Sequence, residues 1–66
     1  MNKTEAFVLR TKSEALQTKL EHAAFSAMMH GKDAQALEND RDMIELAINR
    51  NDTDTMQTLL CKYNAQ

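Results

Sequence analysis

Proline is absent from this chain, and glycine occurs once, at position 31. With no proline, nothing in the covalent backbone removes a helical N–H or clashes with the preceding turn, so long uninterrupted helices are open to it. One glycine cannot make the patterned loops that cradle phosphates or the tight elbows that present a nucleophile. Cysteine also occurs once, at Cys61, which excludes an internal disulfide. Together with His22 and His30 it forms none of the C-x-x-C or H-x-x-x-H spacings of a structural metal site, so no metal or other cofactor is expected. No apolar run approaches the length needed to span a bilayer, and no signal-like segment is visible. These absences lead us to expect a soluble chain in a reduced, cytoplasmic setting, with no membrane contact.

What is present favours helix. Ala, Leu, Met, Glu, Gln and Lys are abundant, and all lose little conformational freedom in a helix. The expected fold class is all-α: an antiparallel αα-hairpin plus a short third helix at the C-terminal end, with helices at about 3–30, 34–50 and 53–64 of a single domain. In the first helix Ala6, Leu9, Ser13, Leu16, Leu20, Ala23 and Ala27 alternate steps of three and four, the spacing of a coiled-coil seam. Phe7, Ala24, Phe25, Met28 and Met29 widen that stripe at its ends. Asn2 followed by Glu5 reads as a capping box. Thr11 followed by Glu14 offers a competing start, but Leu9 keeps phase with Leu16 and favours one continuous helix.

In "MMHGKDAQ", His30 suits a helix C-terminus and Gly31 supplies the left-handed residue that ends it. Asp33 is expected to cap the next helix, which makes "HGKD" the elbow of the hairpin. The second helix should turn Ala36, Leu37, Met43, Ile44, Ala47 and Ile48 inward. Its polar centre, "ENDRD", should confine the strongest contact with the first helix to its two ends. In "NRNDTDT", Asn51, Asp52 and Thr53 are candidate caps, and Met56, Leu59, Leu60 and Tyr63 then follow at helical spacing. The sequence leaves open whether this third helix folds back on the hairpin or continues the second with a kink.

The net charge of −2 conceals an asymmetry. Residues 1–32 carry five Lys/Arg against three acids, and residues 33–66 carry three against seven. Complementary halves can fold together, or two copies can pair head to tail. A DNA-binding domain would need a basic recognition helix, whereas the later helices are the acidic ones, so nucleic acid is not the expected partner. The paired acids at Asp40 and Asp42, and at Asp52 and Asp54, lack the central glycine and terminal glutamate of a calcium loop. His22 and His30 read as solvated or capping side chains, and Cys61 as a small, half-buried one. No catalytic residue and no small-molecule substrate are expected.

An interaction module remains. A chain this short buries only about 60% of the surface its unfolded form exposes, and without disulfide or metal its remaining support is association. The expected partner is a helical protein or a second copy, bound through Phe7, Leu9, Leu16, Leu20, Ala23, Ala27, Met28 and Met29. Of the five methionines, Met43 and Met56 lie in register and read as core. Met28 and Met29 are adjacent, point in different directions, and suit an adaptable binding surface equally well.

"MMHGKDAQ", preceded by "LEHAA" and followed by "IELAI", resembles over residues 16–48 the YscE-like small co-chaperones of type III secretion needle subunits. That resemblance implies a bacterial cytoplasmic hairpin that pairs with a larger helical chaperone to keep a needle subunit soluble. The third helix departs from that pattern. The alternative is a small phage- or plasmid-type regulator that binds a host protein or DNA.

Overall fold

The computed structural model describes residues 1–65 as three α-helices: α1 Lys3–Met29, α2 Gln35–Arg50 and α3 Thr53–Lys62. Asn2 caps α1, its side-chain oxygen accepting the Glu5 N–H at 2.8 Å. The helix then runs unbroken through Thr11–Glu14, so the competing start is unused. Its buried positions are Leu9, Ser13, Leu16, Leu20 and Ala24. The expected seam holds as far as Leu20 and then shifts by one: Ala23 is exposed and Ala24 takes its place. A straight helix turns once every 3.6 residues, so a strict 3.5-residue seam drifts off the packed face after two heptads. Stepping from Leu20 to Ala24 restores the phase.

All three helices end in the same way. At the close of α1 the Lys32 N–H donates to the Ala27 carbonyl at 2.8 Å and the Gly31 N–H to that of Met28 at 3.1 Å, with Gly31 at φ +69°. This is the Schellman arrangement, which satisfies carbonyls that a helix end otherwise leaves without a partner. After α2, Asp52 donates to Ala47 at 2.8 Å and Asn51 to Ile48 at 3.3 Å, with Asn51 at φ 56°. After α3, Ala65 donates to Leu60 and Asn64 to Cys61, with Asn64 at φ 53°. Asparagine tolerates the left-handed region better than most residues that carry a Cβ, which suits it to the second and third ends.

The left-handed Asn51 also resolves the course of α3. It reverses the chain, and Asp52 immediately caps the next helix by accepting the Thr55 N–H at 3.2 Å and the Thr55 hydroxyl at 2.6 Å. α3 therefore folds back on the hairpin. At the first elbow the expected cap shifts slightly. The N-cap position of α2 falls on Ala34, which has no side chain to offer, and the Asp33 carboxylate serves from one residue earlier by accepting the Gln35 N–H at 2.9 Å.

Substitution at Gly31 reads out the elbow. A Cβ there would meet no atom within 4 Å, so the penalty lies in the backbone angle alone. Gly31→Ala is expected to lower stability by about 1 kcal/mol, Val by more, and Asn by least. Thermal melts of the three variants check the order, and a stabilised alanine variant would contradict the hairpin.

The core joins Leu9, Leu16 and Leu20 of α1 to Ile44, Ala47 and Ile48 of α2 and Met56, Leu59 and Leu60 of α3. On α2, Leu37 is partly buried as expected, but Ala36 and Met43 face outward. Ile44, Ala47 and Ile48 already fill the inward arc, and Met43, 100° before Ile44, falls outside it. The molecule measures 43 × 17 × 16 Å. Its length is set by α1, whose 27 residues rise about 40 Å. The hairpin is tied across its open end by Arg10, whose Nη1 donates to the Ile48 carbonyl at 3.5 Å and places a cation at the α2 C-terminus.

Candidate interaction surface

Because α2 and α3 both pack on one side of α1, the opposite side is left to solvent, and that side is not uniformly polar. Phe7 is 70% exposed, Phe25 62%, Met29 70% and Met28 54%, with Val8 also exposed. Phe7 and Phe25 are 18 positions apart, five turns of helix, so they stand at one azimuth about 27 Å from each other. Thr11, Glu14, Thr18 and His22 lie between them at steps of three and four, all exposed. The outward face is therefore apolar at each end and polar in the middle. Single exposed apolar side chains are ordinary, but both phenylalanines of the chain at the two ends of one face form a pattern.

Of the expected partner-binding residues, Phe7, Met28 and Met29 are on this accessible surface. Leu16 and Leu20 are buried in the core shared with α2 and α3, and Leu9 is buried there too except where it reaches the edge of a groove beside α3. Ala23 is exposed but contributes only a methyl group, and Ala27 is partly covered near the elbow. Phe25 and Val8 join the surface in their place.

A second apolar feature is an open groove between the first turns of α1 and the outer side of α3. Met1, Val8, Leu9 and Leu60 line it, with Lys12, Lys62 and the Cys61 thiol among its other residues. Cys61 is exposed, not half-buried as its neighbours suggested, because Leu59 and Leu60 occupy the inward arc of α3.

The centre of α2 holds a carboxylate that sequence reading missed. Asp40 is 7% exposed, its Oδ2 accepting the Lys62 ammonium at 2.7 Å and the Tyr63 hydroxyl. The signal was present: Asp40 lies three residues after Leu37 and four before Ile44, in phase with the apolar stripe. The bonds from Lys62 and Tyr63 hold the Asp40 carboxyl below the usual carboxylate range. Burial, and then the hydrogen bond to Asp40, push the Tyr63 phenol up to about 12. Both shifts move away from neutrality, opposite to what acid–base catalysis requires, so the cluster acts as a latch between α2 and α3.

Met56 is buried as a core residue, whereas Met43 lies outside with Leu46. His22 is exposed, and His30 places Nδ1 2.8 Å from the Ser26 carbonyl within the last turn of α1. Among the described residues no three His, Cys, Asp or Glu side chains converge to hold a metal ion, and no helix is long and apolar enough to cross a membrane. Comparison of the chain with protein-family models, curated proteins and solved structures returned no match.

Proposed function

We propose that this protein is a small, non-enzymatic protein–protein interaction module that works through the outward face of α1. The observation that carries this reading is the placement of Phe7, Val8, Phe25, Met28 and Met29 outside a core already closed by eleven buried apolar residues. Apolar area that folding does not need, held on one rigid helix, suits association with another helix. The flexible thioethers at the elbow end fit such a partner without demanding one exact shape. A cytoplasmic adaptor or co-chaperone role, of the kind the YscE-like resemblance implies, falls within this reading.

The test compares the parent with a Phe7→Ala, Phe25→Ala, Met29→Ala variant. Each residue is more than half exposed, so the variant is expected to keep its helical circular dichroism while losing a bound protein that the parent carries stoichiometrically. Binding that survives the three substitutions would move the working surface elsewhere. Duplex DNA at physiological salt is expected to bind no tighter than the ~10⁻⁴ to 10⁻⁶ M of non-specific contact. A nanomolar, sequence-dependent complex would replace this reading with that of a DNA-binding regulator.

A further inference from the structure

We propose that the occupant of the outward α1 face is the same face of a second copy of this chain, antiparallel, about a two-fold axis at Thr18. This rests on the interaction-module reading and assigns its partner. An isologous interface must be self-complementary, each residue meeting its mirror across the axis. With the axis at Thr18, Phe7 meets Met29 and Thr11 meets Phe25, while Val8 and Met28 flank the seam on opposite sides. Glu14 then meets His22. All of these side chains are exposed in the single chain. Each end thus sets Phe7 against Met29, with the Phe25 ring over the Thr11 methyl and an acceptor opposite a ring nitrogen near the middle. Glu14 Oε1 lies 3.3 Å from Arg10 Nε on its own helix, which leaves Oε2 for the partner copy.

Charge fixes the direction. Within α1 the basic charge lies at the start, Lys3, Arg10 and Lys12 against Glu5, and beyond Leu20 the helix carries Glu21 alone. The stretch between them is balanced by Glu14 and Lys19. Antiparallel pairing keeps the two basic ends at opposite ends of the dimer, whereas parallel pairing stacks one on the other. Half the circumference of a ~10 Å cylinder along ~40 Å of helix is roughly 600 Å² per copy, at the lower limit for a specific interface. The dimer is therefore expected to form in the micromolar range.

Cross-linking in a Cys61→Ser background tests both partner and direction. With oxidised glutathione at roughly 100 µM protein, well above a micromolar Kd, Thr18→Cys should give a covalent dimer, because its copies face each other on the axis. Phe7→Cys alone should not, since its copies would lie about 33 Å apart, while Phe7→Cys combined with Met29→Cys should. Sedimentation of the uncross-linked parent should show a dimer that Phe25→Glu weakens at least tenfold without loss of helicity. Efficient cross-linking of Phe7→Cys alone would overturn the antiparallel arrangement whether or not Thr18→Cys also cross-links, since a parallel pair brings every position beside its own copy. A strictly monomeric parent that still carries a different protein, lost on substituting Phe7 and Phe25, would overturn the dimer and leave the interaction module standing. A monomer that binds nothing would overturn both.

Discussion

Ile44→Ala is expected to lower folding stability by about 2–5 kcal/mol, enough to leave much of the population unfolded at 37 °C. Ile44 is fully buried and belongs to the cluster that draws on all three helices. A domain of this size has in total roughly 3–10 kcal/mol to lose, so one cavity at its centre consumes much of the margin. Ile44→Val should cost only about 0.5–1.5 kcal/mol. The neighbouring Met43 is the control. It is exposed, and Met43→Ala should stay within about 0.5 kcal/mol of the parent. Denaturant melts followed by circular dichroism give all three values. Equal losses at positions 43 and 44 would contradict a rotation of α2 that buries Ile44 and leaves Met43 outside.

Removing the Asp40 carboxylate has the second largest expected effect. Asp40→Ala should cost about 1–3 kcal/mol, because the Tyr63 hydroxyl loses its acceptor in a half-buried setting. Little of this comes from the ion pair, since the Lys62 side chain is 57% exposed and screened. Asp40→Ala and Tyr63→Phe should therefore be clearly non-additive. The same contact predicts the pH profile. Asp40 is held below its ordinary value, so its contribution is complete above the unfolded carboxyl pKa of about 4 and is lost as pH falls through the lower folded value. Tyr63 is shifted the other way. Its folded value near 12 favours the protonated phenol, so its contribution is present below the unfolded value of about 10 and is lost as pH rises towards 12. Melting temperature should be level between these limbs, with Asp40→Asn shrinking the acid limb, part of which belongs to Asp52 and its bonds from Thr55, and Tyr63→Phe flattening the alkaline one.

The sequence disclosed the number, order and approximate ends of the helices because each local cue agreed with the global fold. Asn2, Gly31 and Asp52 sit where caps and breaks are needed, and the apolar spacing of α1 and α3 matches their buried faces. What stayed hidden depended on contacts made across the chain. Asp40 looked like part of a solvated acidic run, since nothing local announces that Lys62 and Tyr63 return to it from more than twenty residues away. Ala23 and Ala24 differ by a single step, and only the continuous turn of a straight helix decides between them. The surface was harder to read than the core. Phe7 and Leu9 are similarly apolar, and which of them is covered was settled by where α2 and α3 lie.

α3 has ten residues, fewer than an isolated helix needs to persist in water. Its backbone order and its docking are therefore one event. When Met56, Leu59 and Leu60 leave the core together, the helix they belong to melts with them, and its amides become open to solvent exchange as a single group. The core that α1 and α2 share with α3 would then lose one of its three walls. The Asp40 latch and the buried Met56, Leu59 and Leu60 together oppose this opening. A segment at the C-terminal end thus controls the transient exposure of the interior, and with it susceptibility to proteases and to aggregation.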